Sequence, residues 1–549
     1  MTRSLPVRPN LDSDRKRAKV LKKAHAVCDP EALATIREHH PRFRGMDLSA
    51  VAAAPFRLSD AQLVVAREYG VESWPRLAAL IGFLRADLFE RARLFTEAAV
   101  GEGTKRVHDL LAHAPELAAA SLQAACAAAD LAVVLRWLAK DPVAATRADG
   151  PRSAEPLWTL CWSSVGCGIL RTEGDQVQIA QRLLAAGADP NAAAERESSF
   201  GRLRVSALYG CVHHDRPALL KTLLEGGATP DDGESLYHAT ERTNERCLDL
   251  LLSYGAATAG TNSLRRALDY EALGPVRKLL EAGSDPAERS PLLGIQNAWW
   301  PGGRNALHHA ALRGRSGAVI DLLVQHGAPL DVRDETGRTA FQIAYRAGAK
   351  EAAERLVALG ADASRSAADD FVHACLLGDE TGARVALAHG HLDLAALAPE
   401  DLAALPVAAT RGLKVAVKLI LELGFPIDTA GGEWSGTALN HAAHMGHPEV
   451  VALLLESGAD PEIENEFGGT ALGALAWMSK RGDGADGNEA WAPRRTEAER
   501  QGDLVACAEL LLKAGARIRP VDLANASDPV AEALRRHGAP EPEGKPPTS

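Results

Sequence analysis

The chain has 549 residues, 46% hydrophobic but only 5% aromatic, so its apolar mass is mainly alanine and leucine, which favour helices. Charged residues at 24% exclude a wholly disordered chain, and a formal charge of −11 argues against a generally basic nucleic-acid binder. The eight cysteines form no C-x-x-C pair, which excludes a disulfide framework and thiolate zinc spacing.

In chain order, Met1 to Pro6 lead into a charged stretch with no apolar segment, so no signal peptide is expected and the cytoplasm is the expected location. The first 25 residues set Arg3, Arg8, Arg15, Lys16, Arg17, Lys19, Lys22 and Lys23 against Asp12 and Asp14, a local charge of +6. That stretch reads as a solvated helix face in preference to an arm for acidic partners. Leu58 to Gly70 predicts a helix, and Ser73 with Pro75 predicts the N-cap and first turn of the next. Residues 1–90 are therefore expected to form an N-terminal helical cap. The run Ala118 to Leu135 is alanine-dominated and broken by Gln123 and Asp130, so no membrane span is expected there. Only 14 of the 61 basic residues are lysine, an arginine bias that points to a bacterial source.

Farther along, one phrase recurs. Leu183-Leu184-Ala185-Ala186-Gly187-Ala188-Asp189-Pro190 returns as Leu279 to Pro286 and as Leu454 to Pro461. Weaker copies centre on Gly227, Gly255, Gly327, Gly360, Gly390, Gly424, Gly515 and Gly538. Each glycine closes an amphipathic helical pattern, where a residue of positive φ is expected. Another helix is expected upstream of each, as in Asn305-Ala306-Leu307-His308-His309-Ala310-Ala311 and Thr437 to His447. These two motifs, in that order, resemble the ankyrin repeat. The resemblance implies an all-α ankyrin-repeat solenoid, built of helix-turn-helix units with short β-hairpin fingers and sealed by the N-terminal cap. It covers residues 91–537 in about 11 to 13 units. Residues 538–549, rich in Pro and Glu, are expected to be a disordered tail.

The repeat is uneven. Successive glycines are 40, 28, 28, 44, 33, 30, 34, 34, 57 and 23 residues apart. The two 28-residue units are too short for a finger, while the flanking fingers at 191–205 and 287–304 are long, and an insertion is expected at 479–503. The aspartate-rich run from Arg481 to Asn488 lacks the bidentate glutamate of a calcium loop. Two long fingers around two missing ones would leave a notch on the concave face.

By the same resemblance, the two positions after Ala-Ala on each first helix face that groove. They place His213, His214, Glu241, Asp269 and Tyr270 as a titratable cluster suited to acid–base chemistry. They also offer Trp162, Arg242, Arg313, His444 and Trp477 as binding residues. The fingers add Phe200, Arg202, Arg204, Trp299, Trp300, Arg304 and Trp434. Six of the nine tryptophans (158, 162, 299, 300, 434 and 477) fall on first helices or fingers, where indoles supply contact energy. His308 holds the position whose usual role is a structural bond between units, while His309 and His441, one residue later, read as solvated. Trp158 and Tyr209 read as packing wedges. No cofactor or metal is expected. The expected partner is a protein or peptide segment in the concave groove. The alternative is a small-molecule enzyme in the central notch, performing hydrolysis, cyclisation or isomerisation. Nucleic acid and membrane partners are not expected.

Overall fold

The computed structural model describes residues 3–538 other than 4, 5, 7, 8, 72, 102–106, 108, 109, 112, 113, 150, 168–171, 199, 200, 243, 271, 290–302, 395, 396, 432, 433 and 481–495. It divides into two compact units, Met1–Ser235 and Leu236–Ser549.

The first unit begins with short helices whose starts are set by polar caps. Asn10, Asp29, Asp47, Ser73 and Asp87 each accept a hydrogen bond from a first-turn N–H that would otherwise lack a partner. Pro75 follows the Ser73 cap in the first turn of Trp74–Arg85, as expected from the sequence. These helices enclose a core of their own around Ile36, Phe43, Val51, Val64 and Leu77. A second core runs from Phe83 and Phe95 to Leu117 and Val165. The basic segment lies on Leu11–Ala26, where Arg17 pairs with Asp14 and with Glu68 at 2.7 Å. Ala118 to Leu135 is broken between Leu122–Ala127 and Leu131–Lys140, and among the described residues no helix is long and apolar enough to cross a membrane.

Helix pairs then take over, because each helix has one apolar face and can bury it only against neighbours. Pro156–Trp162 with Glu173–Ala185, and Ala207–His213 with Pro217–Glu225, pack first helix on first helix and second on second. Between them the long finger is an antiparallel ribbon, Ala193–Ser198 against Gly201–Ser206, paired from Ala193↔Ser206 to Ser198↔Gly201.

The second unit continues the pattern through Ser263–Asp269 with Leu273–Glu281, Ala306–Leu312 with Gly317–Gln325, and Ala438–Met445 with Pro448–Glu456. Its later pairs share one core that includes Phe371, Leu405, Leu439, Leu472 and Leu511. The two 28-residue repeats reduce to bare helix pairs, without a strand among their described residues.

Ten repeat glycines, from Gly187 to Gly538, have φ between 83° and 98° at a helix end. Gly390 is the exception. It ends the helix Glu380–Gly390 itself, and His391 takes the left-handed position at φ 48°. The insertion expected at 479–503 is narrower: Ser479 and Lys480 end one helix, and Glu497–Lys513 is already the next. The aspartate-rich run 481–488 lies outside the described residues.

Candidate functional site

In the first unit, the expected groove residues turn inward. Trp158 and Trp162 lie one turn apart on Pro156–Trp162, and the ribbon covers both indoles. Their Nε1–H groups donate to the Val205 and Ser206 carbonyls at 2.9 and 2.8 Å. Trp162 is 1% exposed, so it fastens the ribbon to the helices and offers no ring to a ligand. His213 and His214 pack against the same indole, at centroid distances of 5.3 and 6.4 Å. His214 donates Nε2–H to the Trp162 carbonyl at 3.1 Å. Burial first, then the charges of Arg216 and His213, push its imidazole down to about 2. Its imidazole is held in the neutral form near pH 7.

The carboxylates of the expected cluster lie in the second unit, bound to cations. Ser235–Ala239, Ser263–Asp269 and Ala306–Leu312 are the first helices of successive pairs, so side chains one position apart in the repeat can meet. Arg266 sits between two of them, its Nε 2.7 Å from Glu241 and its Nη1 3.1 Å from Asp269. Asp269 also accepts from His309 Nε2 at 2.9 Å and from Arg313 Nε at 3.0 Å, and His238 Nδ1 lies 3.1 Å from Glu241.

Burial alone would raise the Asp269 carboxyl, but the bond to His309 and the charges of Arg313 and Arg266 outweigh it and hold it well below the usual range. Glu241 is lowered in the same way: burial opposes, and His238 and Arg266 prevail. Burial raises the Tyr270 phenol, whose hydroxyl has no hydrogen-bond partner among the described residues. Carboxylates so firmly ionised are weak bases, and a phenol so raised does not ionise near neutrality. The five residues expected to act together are thus two buffered carboxylates, a protonated phenol and two histidines packed on an indole.

Arg304, another expected binding residue, is also engaged in structure. Arg304 Nε lies 3.0 Å from the fully buried Asp334, and its carbonyl accepts from Arg265 at 2.8 Å. It braces a finger and is not free to grip a ligand. Arg242 is half-buried. His308 bonds Asn305 and the Val332 carbonyl, as its repeat position implies. His309, read as solvated, is 2% exposed because Asp269 and Arg313 close over it. Phe200, Trp299 and Trp300 lie outside the described residues. Among those described, no three His, Cys, Asp or Glu side chains could hold a metal ion.

A different surface is assembled farther along the second unit. Gly431 and Gly436 pair as an isolated bridge and carry Trp434 at the finger tip. Its indole stacks on His441 at 4.4 Å and leans on His444 at 4.1 Å, while His444 stacks on Trp477 at 5.8 Å. His441, read as solvated, donates Nε2–H to the Gly431 carbonyl at 2.7 Å and is buried, so it holds the finger in place. Trp434 and Trp477 remain half-exposed. The next finger joins the same edge: Glu466 N–H donates to the Trp434 carbonyl at 3.1 Å, and Phe467 beside it is 66% exposed. Phe467 was not anticipated. Its signal is an aromatic residue in the Asn465-Glu466-Phe467-Gly468-Gly469 turn, where nothing local could bury it.

Helix pairs closed by left-handed glycines, stacked first helix on first and second on second, define an all-α ankyrin-repeat fold. The family model described as Ankyrin repeats matches residues 264–367 and 371–465, and these segments are ankyrin repeats. Over 70 residues the chain is 47% identical to Protein phosphatase 1 regulatory subunit 27 of Mus musculus, covering 13% of this chain and 44% of that one. Palmitoyltransferase Hip14 of Drosophila melanogaster is 36% identical over 69 residues, covering 13% of this chain and 11% of that protein. The chain thus spans less than half the length of these curated relatives. Among solved structures, the human ASB11 ankyrin repeat domain is 22% identical, with 47% of this chain and 99% of that one covered and a TM-score of 0.21. An ankyrin repeat domain from Acinetobacter baumannii AYE is 20% identical, with 38% and 98% covered and a TM-score of 0.28. The repeats indicate a protein-interaction role.

Proposed function

We propose that the chain grips a protein or peptide segment on the concave face of its repeats, anchored at Trp434 and Trp477 with Phe467 at the rim; His444, expected as a binding residue, is buried and props the two indoles. The observation that carries this reading is the ring stack itself. Two half-exposed indoles are held rigidly against imidazoles, next to an exposed phenylalanine. Aromatic anchors fixed before binding lose little side-chain freedom and contribute disproportionately to affinity. A bacterial, cytoplasmic setting belongs to the same reading, supported by the arginine bias and by free, mostly buried cysteines.

The test is to pan a random peptide library on the full chain and measure the recovered peptides by calorimetry. Trp477→Ala and Phe467→Ala should each weaken binding about tenfold or more. His213→Ala should leave it unchanged. Phe467 is exposed, so its variant reports on binding without a folding defect. Peptides that bind both aromatic variants as tightly as the parent would refute the assignment.

A further inference from the structure

The first unit holds a cleft that the ring stack does not use. It lies among the helix Leu88–Val100, the turn Pro151–Ser153 and the two-stranded ribbon, with a volume of about 520 Å³. That is the size of a small-molecule site. Its charged lining is Glu97, Arg152, Glu195, Arg196, Arg202 and Arg204. Four arginines against two glutamates give that lining a net charge of +2, in a chain whose formal charge is −11. Arg202 and Arg204, expected to face the central notch, belong to this cleft instead.

Three features set it apart from a solvated basic patch. Arg152 and Ser153 are successive non-glycine residues in the left-handed region, at φ 64° and 53°. Such backbone is unfavourable for residues that carry a Cβ and persists where the surroundings enforce it. Arg152 Nε is pinned by Glu97 at 3.1 Å, yet its Nη1 is buried without a hydrogen-bond partner among the described residues. A buried donor left without an acceptor is unfavourable until something supplies one. Opposite the turn, Arg204 makes no ion pair among the described residues. The Arg202–Glu195 contact is loose, at 3.7 Å between two exposed side chains. Arg196 lies 4.3 Å from the Trp162 ring centroid, which holds its guanidinium in a defined plane.

We propose that this cleft binds a small phosphate monoester, its dianionic phosphate held between Arg152 and Arg204. Guanidinium forks match tetrahedral phosphate oxygens bidentately, and a phosphate dianion answers the surplus charge of the lining with a single group. A monocarboxylate would answer only half of it. The site is independent of the ring stack, so either assignment can fail alone.

Phenyl phosphate is the probe, titrated into the full chain by calorimetry and by phosphorus NMR, with benzoate and succinate as controls. Saturable binding of phenyl phosphate is expected, with benzoate and succinate at least about tenfold weaker. Affinity should rise about tenfold as the phosphate loses its second proton near pH 6, since the arginines do not titrate there. Arg204→Ala should weaken binding about tenfold, Arg204→Lys less, and Trp477→Ala not at all. Arg204 is exposed, so its variants should melt with the parent. No saturable binding, equal affinity for benzoate or succinate, or undiminished binding by Arg204→Ala would each overturn the proposal.

Discussion

Two regions of the second unit are built from the same part, the first helix of successive pairs, and end in opposite chemical states. Between Tyr237 and Arg313 the groove positions carry charge, and Glu241, Arg266, Asp269, His309 and Arg313 reach across the repeat and neutralise one another. Between Trp434 and Trp477 they carry rings, in which buried imidazoles stack against two half-exposed indoles. Charges of opposite sign at the spacing of stacked helices satisfy each other and become scaffold. Rings at the same spacing order one another and leave the indoles half-exposed. A cluster of titratable residues in a repeat groove is therefore weak evidence for chemistry, and a cluster of rings is better evidence for recognition.

The largest effect that would break this contrast is the loss of Asp269. Asp269→Ala leaves Arg266 and Arg313 without their shared counter-charge and the buried His309 without its hydrogen-bond acceptor. Stability measured by urea unfolding should fall by about 3 kcal/mol, the usual cost of breaking a buried pair from one side. Removing both Asp269 and Arg313 should cost less than the sum of the two single changes. If Asp269→Ala costs under about 1 kcal/mol, the network behaves as an ordinary surface pairing and the contrast fails.

Acid should separate the network's members. Burial lowers His309, so the native state keeps it neutral where the unfolded chain would protonate it. Its folded pKa is the depressed one, so its contribution is complete above about pH 6.5 and is lost as pH falls from there. The slope approaches about 1.4 kcal/mol per pH unit. Asp269, also depressed, contributes above about pH 4 and is lost only below it. The urea midpoint followed from about pH 7.5 to about pH 3 should fall in two stages. His309→Gln should make the upper stage shallower, whatever its cost at pH 7, while the depressed His214 and His308 keep the rest of it. An upper stage of unchanged slope in His309→Gln would assign it wholly to those other histidines.

How much of this could be read beforehand depended on how local each cause is. The repeat glycines were legible because the left-handed turn after a helix admits few other residues, and Ser73 because a cap acts on its own first turn. Gly390 misled because the chain placed the turn one residue later, on His391. The ring stack was legible by position, since Trp434, His444 and Trp477 follow the repeat. Trp162 was not, because its burial depends on a ribbon some 40 residues away whose carbonyls meet its N–H. The tethering of Arg304 needs Asp334, 30 residues on, and that of Asp269 needs Arg313, 44 residues on. Pattern shows which residues can act; the partner that pre-empts them is a tertiary fact.

The smallest predicted effect asks whether the two regions differ in scaffold or only in side chains. Gly255 closes a helix in the charged region and Gly458 closes one beside the ring stack, at φ 83° and 93°, each with open space where a Cβ would go. Alanine at either site should therefore meet the backbone penalty alone, about 1 kcal/mol in each region by thermal or urea unfolding. Equal costs would mean that the same backbone serves both regions and that the chemistry lies wholly in what the first helices carry. If Gly458→Ala costs clearly more and also weakens the peptides recovered on the ring stack, the turn itself sets the position of the rings, and the two regions differ below the level of their side chains.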